Sequence, residues 1–493
     1  MPRRRVVRAS EALTGRRAFA LRVLAGPAAF AVVRAAPLAG LGPEAHFALA
    51  AYAWILAWWA TVPVPWAVAS FLPFVLLPVG SAMPFAEVAG LYGQPILPFL
   101  MGSMLFGHAM HKHGLATRVA LALLRMPGAV RSSGSLILVF LIAAAVTSAL
   151  VSDLVVIVIM TPIALSVSRS AVAALDAGEA AARAPRMAEA ASLAVLYGVA
   201  AGELATPMGI AFNPLVLSVL EETTRYSISF AQWTSTGVVL AAVHVPIYYL
   251  ILKLMVVPDV RNLSASRLRI RRQSEQLGPL GRGEKNVLFV LTVMLALWML
   301  PALATVEFLD IWYVPPVGMV LLFLLPVDGE RGETTLDRKD LQEGVSWNVL
   351  FLVVGGMAMV SGLTRLGVTD WVGAAFAGNV TATALPWLAG LLTTVLTQVA
   401  SGISSTVMVS SMLLPIAEAL EYNAAILARI IAGTAHAVAL PWSSPTAATT
   451  FAAGAVHLGT MFRAGVVATV LTSIVVIVLS MILVPAFGAF TVQ

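Results

Sequence analysis

The stretch Ser148-Ala-Leu-Val-Ser152-Asp153-Leu-Val-Val-Ile-Val-Ile-Met-Thr-Pro162 lies inside an apolar run over residues 134–168. Two serines and an aspartate interrupt a segment that is otherwise apolar and of membrane-spanning length. The pattern returns downstream as Ser401-Gly-Ile-Ser-Ser405-Thr406-Val-Met-Val-Ser-Ser-Met-Leu-Leu-Pro415. One constant offset of 253 residues relates Ser148 to Ser401, Ser152 to Ser405, Pro162 to Pro415, Gly102 to Gly355 and Gly114 to Gly367. We interpret this register as an internal duplication, and a duplicated, polar-interrupted membrane segment points to the binding site of a transporter.

The composition is that of an integral membrane protein. Hydrophobic residues make up 59% of the 493 residues and charged residues only 11%, against about 25% in soluble domains. Apolar segments of roughly 20 residues recur along the chain, which predicts membrane helices rather than a barrel. The chain has no cysteine, so disulfides and thiol chemistry are excluded. The net charge of +6 fits loops that face anionic lipid of the bilayer, and we expect no nucleic-acid partner.

In the first half of the chain, the sequence predicts a basic cytoplasmic tail (1–17), scaffold helices (18–132) and a region with two interruptions (133–256). The basic start could belong to a signal peptide, but Arg22 and Arg34 inside the apolar run favour a retained first helix. Each half of the stretch 134–168 is short for a full span, and both flanks are basic, so we expect a re-entrant hairpin. The next segment is broken at Gly202-Glu203-Leu-Ala-Thr206-Pro207-Met-Gly209-Ile-Ala-Phe-Asn213-Pro214, where the backbone must unwind inside protein.

A basic cytoplasmic loop (257–284) leads to a second half with the same order. Its scaffold helices are predicted at 285–382, and its interrupted region at 383–493. That region holds a second hairpin and a second broken helix, whose break reads Leu440-Pro441-Trp-Ser443-Ser444-Pro445-Thr446. The expected fold is an all-α polytopic membrane protein with about 11 transmembrane helices, two re-entrant hairpins and an inverted repeat.

The distribution of basic residues predicts the orientation. Counting eleven spans and two hairpins places the amino terminus inside, the carboxyl terminus outside and the two hairpins on opposite sides. On that count about 25 of the 30 lysine and arginine residues face the inner side, as the positive-inside rule requires. We expect a multi-pass protein of the cytoplasmic (inner) membrane.

Hairpin tips and helix breaks can bind ions because they expose backbone groups at mid-membrane depth. The N-termini of half-helices favour anions, whereas carbonyl oxygens and Ser or Thr hydroxyls suit Na+. An isolated serine pair in a membrane helix is explained by close packing or by a hydrogen bond to the preceding turn. Two copies, each followed by a proline ten residues on, favour a binding site. If the four interruptions converge, one central anion site flanked by two cation sites is expected.

The chain resembles the divalent anion:sodium symporters, which include bacterial and animal dicarboxylate and citrate carriers. The resemblance covers nearly the whole length and includes Ala57-Trp58-Trp59-Ala-Thr61, Gly355-Gly356, the two hairpins and both breaks. It implies a homodimer that works as an elevator, in which hairpins and broken helices move against the scaffold. It also implies Na+ as the coupling ion and no organic cofactor.

The resemblance assigns site residues position by position. Ser148 and Ser401 match the family's upstream hairpin hydroxyls, and Ser152 and Ser405 match the first residue of its Ser-Asn-Thr tips. The implied substrate contacts are Ser152, Asp153, Ser405, Thr406, Thr206, Pro207, Asn213, Ser444, Pro445 and Thr446. The implied Na+ ligands are Ser148, Ser152, Asp153, Gly202, Glu203, Ser401, Ser405, Thr406 and Ser443.

Two acids depart from the family pattern, since Asp153 stands in a tip and Glu203 in the first break. Intramembrane acids are costly and are therefore functional candidates. If the two lie close together, repulsion and desolvation favour a proton on one of them. The pair then either binds Na+ more tightly than neutral ligands do or makes the carrier proton-coupled.

We therefore expect a secondary active transporter of small organic anions, di- or tricarboxylate-like, driven by Na+ or H+. The alternatives are an anion exchanger without net cation flux and a carrier of sulfate or another substrate. No Gly-x-Gly-Asp signature of membrane aspartyl proteases occurs, and an enzyme is not expected.

Overall fold

Helices account for nearly all of the regular structure of this protein. The computed structural model describes residues 2–126, 128, 130–172, 177–224, 226–258, 260, 263–303, 310–377, 381–399, 401–487 and 491–492. The helices up to the basic loop are α1 (Pro2–Ala35), α2 (Pro43–Thr61), α3 (Trp66–Ala69), α4 (Pro73–Val79), α5 (Phe85–Leu91), α6 (Ile96–Lys112), α7 (Leu115–Leu124), α8 (Ser133–Ser148), α9 (Asp153–Val172), α10 (Ala177–Gly202), α11 (Phe212–Thr223) and α12 (Phe230–Met255).

The remaining helices are α13 (Ser264–Gln276), α14 (Arg282–Leu303), α15 (Val314–Leu324), α16 (Arg338–Gly344), α17 (Trp347–Arg365), α18 (Val368–Ala377), α19 (Leu385–Val399), α20 (Gly402–Ala419), α21 (Ala424–Thr434), α22 (Pro445–Ala452) and α23 (Leu458–Phe487). Within the described residues, seven helices are long and apolar enough to cross a membrane. Several of the others, such as α3, α4 and α16, are short, and α10–α11 and α21–α22 belong to helices interrupted midway.

The internal duplication is visible in the order of helices. Helices α6 to α9 and α17 to α20 follow one another in the same sequence, and α7 and α18 correspond residue for residue at the offset of 253. Gly114 and Gly367, which precede these two helices, adopt the same left-handed conformation, with φ of 76° and 73°. Because even the rare positive φ angle recurs at the equivalent glycine, the structure supports the duplication inferred from the sequence.

The paired glycines Gly102 and Gly355 both lie at close helix crossings. A Cβ on Gly102 would stand 2.3 Å from the carbonyl oxygen of Pro315 on α15, and one on Gly355 would stand 2.7 Å from the carbonyl oxygen of Ser70. Helices in a membrane associate through such small residues, because lipid supplies no hydrophobic drive between them. The duplication therefore preserved a packing site as well as a polar motif.

Long-range contacts connect loops that the orientation count places on the same side. On the predicted outer side, β1 (Tyr226–Ser227) pairs with β4 (Thr491–Val492), and Arg365 lies 3.3 Å from Glu87. On the predicted inner side, Ser133 Oγ donates to the Pro258 carbonyl (2.6 Å), and Arg118 Nε donates to Glu284 (2.6 Å). Each of these contacts joins two loops that the predicted topology assigns to the same side of the membrane, so the contacts are consistent with that topology.

The structure adds detail to the predicted scaffold segments and loops. Within the scaffold helices of the first half, Pro73 starts a separate helix, α4, after a turn at Ser70–Leu72. The loop before α17 contains a hairpin of β2 (Pro326–Asp328) and β3 (Glu333–Thr334) and helix α16, so the fold is not purely α-helical. The basic tail is helical and continuous with α1, and the basic loop contains α13; residues 259, 261 and 262 of that loop lie outside the described residues.

Candidate functional site

All four polar interruptions meet at one cavity of about 790 Å³. The first hairpin contributes Ser152 and Asp153, and the first break contributes Glu203 and Pro207. The second hairpin and second break contribute Ser401, Gly402, Ser443, Ser444, Pro445 and Thr446. Segments that are up to about 290 residues apart in sequence thus contribute polar groups to one otherwise apolar wall, which is the character of a small-ligand site.

At the first hairpin tip, Asp153 is the first residue of α9. Helix α8 ends at Ser148, and residues 149–152 form the turn between the two arms. The Ser152 hydroxyl donates to Asp153 Oδ1 at 3.1 Å, and the carboxylate is half-buried at the cavity wall. A carboxylate in the first helical turn is stabilised by the helix dipole and by free amide groups.

The first break is held in shape by Thr206 and Asn213. The Thr206 hydroxyl donates to the carbonyl of Ala149, which links the break to the hairpin tip. Asn213 Nδ2 donates to the carbonyls of Glu203 (2.7 Å) and Thr206 (2.8 Å). Both side chains are buried behind the cavity wall, so in this conformation they fix the unwound backbone instead of contacting a ligand in the cavity.

Glu203 lies at the end of α10, where the helix unwinds. The residue is 4% exposed, lines the cavity and is near enough to Asp153 for the two charges to interact. Among the described residues, no hydrogen bond or ion pair reaches its carboxylate. Two carboxylates that share a cavity repel each other, so this part of the wall favours a cation or a proton on electrostatic grounds.

The second hairpin differs from the first in where its second arm begins. Helix α20 starts at Gly402, four residues earlier than α9 does after allowing for the offset, and Ser401 caps it by accepting the Ser404 amide (3.2 Å). Ser405 and Thr406 are therefore buried inside the helix, and the Thr406 hydroxyl donates back to the Gly402 carbonyl at 2.7 Å. Neither lines the cavity, whereas Ser401 does.

The second break presents the N-terminus of α22 to the cavity. Ser444 caps this helix by accepting the Ala447 amide (3.1 Å) and donates to the Ala437 carbonyl (2.9 Å). The Thr446 hydroxyl lies 3.0 Å from that of Ser444. The positive end of the helix dipole and the Thr446 hydroxyl favour an anion, although α22 has only eight residues and its first residue, Pro445, has no amide N–H.

Of the predicted site residues, nine line the cavity and six do not. The nine are Ser152, Asp153, Glu203, Pro207, Ser401, Ser443, Ser444, Pro445 and Thr446. The six behind the wall are Ser148, Gly202, Thr206, Asn213, Ser405 and Thr406. Gly202 lies in a helix crossing, where an added Cβ would stand 2.0 Å from the Ala145 carbonyl oxygen of α8.

Several residues at or near the site were missed by the sequence reasoning. His108, Trp66, Phe99 and Glu343 of the predicted scaffold and loop segments complete the cavity wall. Nothing in their local sequence signals this, because they reach the cavity only through helix packing. Two other features had a signal: Gly198 and Gly202 form a Gly-x-x-x-Gly pair, and Arg429 interrupts the apolar helix α21.

A buried charge at α16 lies next to the cavity wall. Asp340 accepts hydrogen bonds from Lys112 Nζ (2.5 Å) and from His108 Nε2 (2.9 Å), which lies in the cavity wall. Burial by itself would raise the pKa of Asp340, but the hydrogen bonds from Lys112, the Asp337 amide and His108 lower it overall. The carboxylate therefore stays ionised and ties α16 to the end of α6.

Comparison with known proteins gives the family. The family model described as "Sodium:sulfate symporter transmembrane region" matches residues 19–488. The chain is 28% identical to the sodium-dependent dicarboxylate transporter SdcS of Staphylococcus saprophyticus over 465 residues, covering 90% of this chain and 87% of that protein. It is also 28% identical to SdcS of Staphylococcus aureus strain USA300, over 66% of this chain and 64% of that protein.

Among solved structures, the crystal structure of the Alcanivorax borkumensis YdaH transporter has a similar fold. The TM-score is 0.52 at 13% sequence identity, and the match covers 83% of this chain and 88% of that one. The relatives named here are transporters, not enzymes. The resemblance stated from the hairpins and breaks is confirmed: this chain belongs to the divalent anion:sodium symporter family and is a multi-pass membrane protein of the sodium-coupled anion transporters.

Proposed function

We propose that the protein carries small dicarboxylate-like anions across the cytoplasmic membrane, together with Na+. The observation that carries the proposal is that two chemically different sets of groups line the same cavity. Asp153 and Glu203 are acids, whereas Ser444 and Thr446 lie at the capped start of α22. Together the two sets suit a cation and an anion bound in one cavity.

In this proposal a Na+ ion bound next to Asp153 and Glu203 screens the two acids from the negative substrate. Without a bound cation, Asp153 and Glu203 would repel a dicarboxylate, so cation binding and substrate binding are coupled. A proton on one of the acids would provide the same screening. Na+ is the coupling ion we favour, because the relatives are named sodium-dependent.

The transport cycle proposed for this site is elevator-type alternating access. In this proposal the hairpins and broken helices (133–256 and 383–493) move as one body against scaffold helices (18–132 and 285–382), and two copies form a homodimer. The amino terminus is cytoplasmic, and 11 spans with two re-entrant hairpins form an inverted repeat. The contacts between loops on the same predicted side support this topology.

The test is uptake into proteoliposomes with imposed gradients. Radiolabelled succinate uptake should rise with an inward Na+ gradient and should not respond to a pH gradient alone. Uptake that ignores both gradients and is stimulated only by internal succinate would replace symport by exchange. Uptake that responds to pH and not to Na+ would assign the coupling to protons.

Sulfate is the second candidate substrate, because the matching family is described as a sodium:sulfate symporter region. A thermal-shift series of the purified protein with sulfate, succinate, citrate and acetate, each with and without NaCl, separates the candidates. We expect stabilisation by succinate only when Na+ is present. Stabilisation by sulfate alone would move the assignment to inorganic dianions.

A further inference from the structure

Arg429 is an arginine buried in the middle of the predicted membrane region. It is 1% exposed and lies on α21, the half-helix that leads to the second break. Its Nη2 donates to the carbonyl oxygen of Leu204 in the first break at 2.6 Å, and its guanidinium lies 4.3 Å from the ring centre of Trp233. One side chain therefore connects the two broken helices.

The guanidinium is held by very few partners for a buried charge. Its Nε and Nη1 atoms have no hydrogen-bond partner, and no carboxylate of the described residues lies within ion-pair distance. A guanidinium stays protonated at physiological pH, so the positive charge is permanent. A buried, weakly paired charge is expensive, and residues of this kind are retained in membranes for function.

Gly237 of α12 marks the point at which the break carbonyls and the guanidinium converge. A Cβ there would stand 2.4 Å from the Leu204 oxygen, 2.5 Å from the Ala205 oxygen and 2.7 Å from Arg429 Nη2. Two consecutive carbonyl oxygens of an unwound segment, next to the buried acid Glu203, are the ligand type that binds Na+ in membrane carriers. In this chain a guanidinium nitrogen already occupies that place.

We propose that Arg429 is a tethered cation at the first break, where it takes the place of an inorganic cation. Asp153 and Glu203 carry two negative charges when both are ionised, and Leu204, whose carbonyl oxygen accepts the Arg429 hydrogen bond, directly follows Glu203 in the chain. The carrier then needs one Na+ fewer at this break than it would with a neutral residue at 429. This inference deepens the proposed function and concerns ion stoichiometry, not the substrate.

The experiment is equilibrium binding of radioactive Na+ to the purified full-length chain in detergent. Three proteins are compared: the wild type, Arg429→Lys, which keeps the charge, and Arg429→Gln, which removes it at similar length. We expect the wild type and Arg429→Lys to bind the same number of Na+ per chain, and Arg429→Gln to bind one more. Equal numbers in all three folded proteins would overturn the proposal and leave Arg429 with a packing role only.

A thermal-stability series keeps the test decisive if Arg429→Gln is unstable. NaCl should then raise the melting temperature of Arg429→Gln more than that of the wild type, while choline chloride at equal concentration should not. The same response of Arg429→Gln to both salts would contradict the tethered-cation role. Because the binding assay needs no transported substrate, a failure to transport succinate would refute the proposed function without deciding this question.

Discussion

At the scale of the residue, the main feature of the site is a pair of acids, Asp153 at the first hairpin tip and Glu203 at the first break. Both face one cavity, and a buried arginine lies against the same unwound segment. Three ionisable side chains thus lie at or next to the first break, although Arg429 forms no ion pair with a carboxylate of the described residues. Asp153 lies at the start of one helix and Glu203 just after the end of another.

Asp153→Asn should weaken the response to sodium. The Na+ concentration for half-maximal succinate uptake in proteoliposomes should rise by about ten-fold or more, since losing a contact to a charged group costs about 1.5–3 kcal/mol. The matched control is Glu330→Gln, an exposed acid in the turn between β2 and β3. An unchanged Na+ dependence in Asp153→Asn would show that this charge takes no part in coupling.

At the scale of the element, the first hairpin is positioned by the crossing of α8 and α10. Gly198 and Gly202 lie one turn apart on α10, and added Cβ atoms would stand 2.4 Å and 2.0 Å from the Leu141 and Ala145 carbonyl oxygens of α8. The clash would be with backbone, which cannot rotate away. The close approach also places the Ala149 carbonyl within reach of the Thr206 hydroxyl.

Gly202→Ala should destabilise the protein by on the order of 1–3 kcal/mol, because the methyl group forces α8 and α10 apart. The readout is the melting temperature of the purified protein, together with succinate uptake, which should fall as the tip shifts. Gly459→Ala serves as the control, since a Cβ at Gly459 meets no atom within 4 Å. Equal melting temperatures for the two variants would contradict the close crossing.

The attachment of α16 to α6 should depend on pH in a defined direction. Because the folded state lowers the pKa of Asp340 from 3.8, its contribution to stability is complete at neutral pH and is lost as pH falls through the lowered pKa. Asp340→Asn should therefore lower the melting temperature at pH 7, and the difference from the wild type should shrink below about pH 4.

The control on the same helix is Lys339→Gln, whose side chain is exposed and lies 3.5 Å from the exposed Glu343. It should leave the melting temperature unchanged at both pH values. If the melting temperatures of the wild type and Asp340→Asn differed by the same amount at pH 7 and at low pH, the ionised carboxylate would not be the source of the effect.

At the scale of the whole molecule, the cavity extends from the converging breaks to the loop before α17. Glu343, Gly344 and His108 lie at that end, and the proposed topology places all three on the cytoplasmic side. The opposite side carries the Glu87–Arg365 pair and the ribbon of β1 and β4.

Labelling of single cysteines can measure this orientation directly, since the natural chain contains none. A membrane-impermeant maleimide should label Glu343→Cys only in inside-out vesicles and Glu87→Cys only in right-side-out vesicles. The reverse pattern would invert the topology. Labelling of both positions from one side would contradict the predicted number of spans between them.

From the sequence alone, the membrane class, the duplication, the two hairpins, the two breaks and the family could be predicted. Each is a local or repeated pattern: apolar length, proline and glycine inside an apolar run, or a shared register. Such features are local because every backbone amide and carbonyl group inside the lipid bilayer must form a hydrogen bond within the protein. The turn at residues 149–152 and the break after α21 lie between helices for this reason.

Which side chains reach the cavity was decided only by the tertiary structure. The duplication suggested that Ser405 and Thr406 would act like Ser152 and Asp153, but α20 starts four residues earlier and turns them into the helix interior. Likewise, Arg429 meets Leu204 across 225 positions of sequence. The start of a helix depends on its capping residues, and long-range contacts depend on how the helices cross. The offset between the two repeats predicts neither.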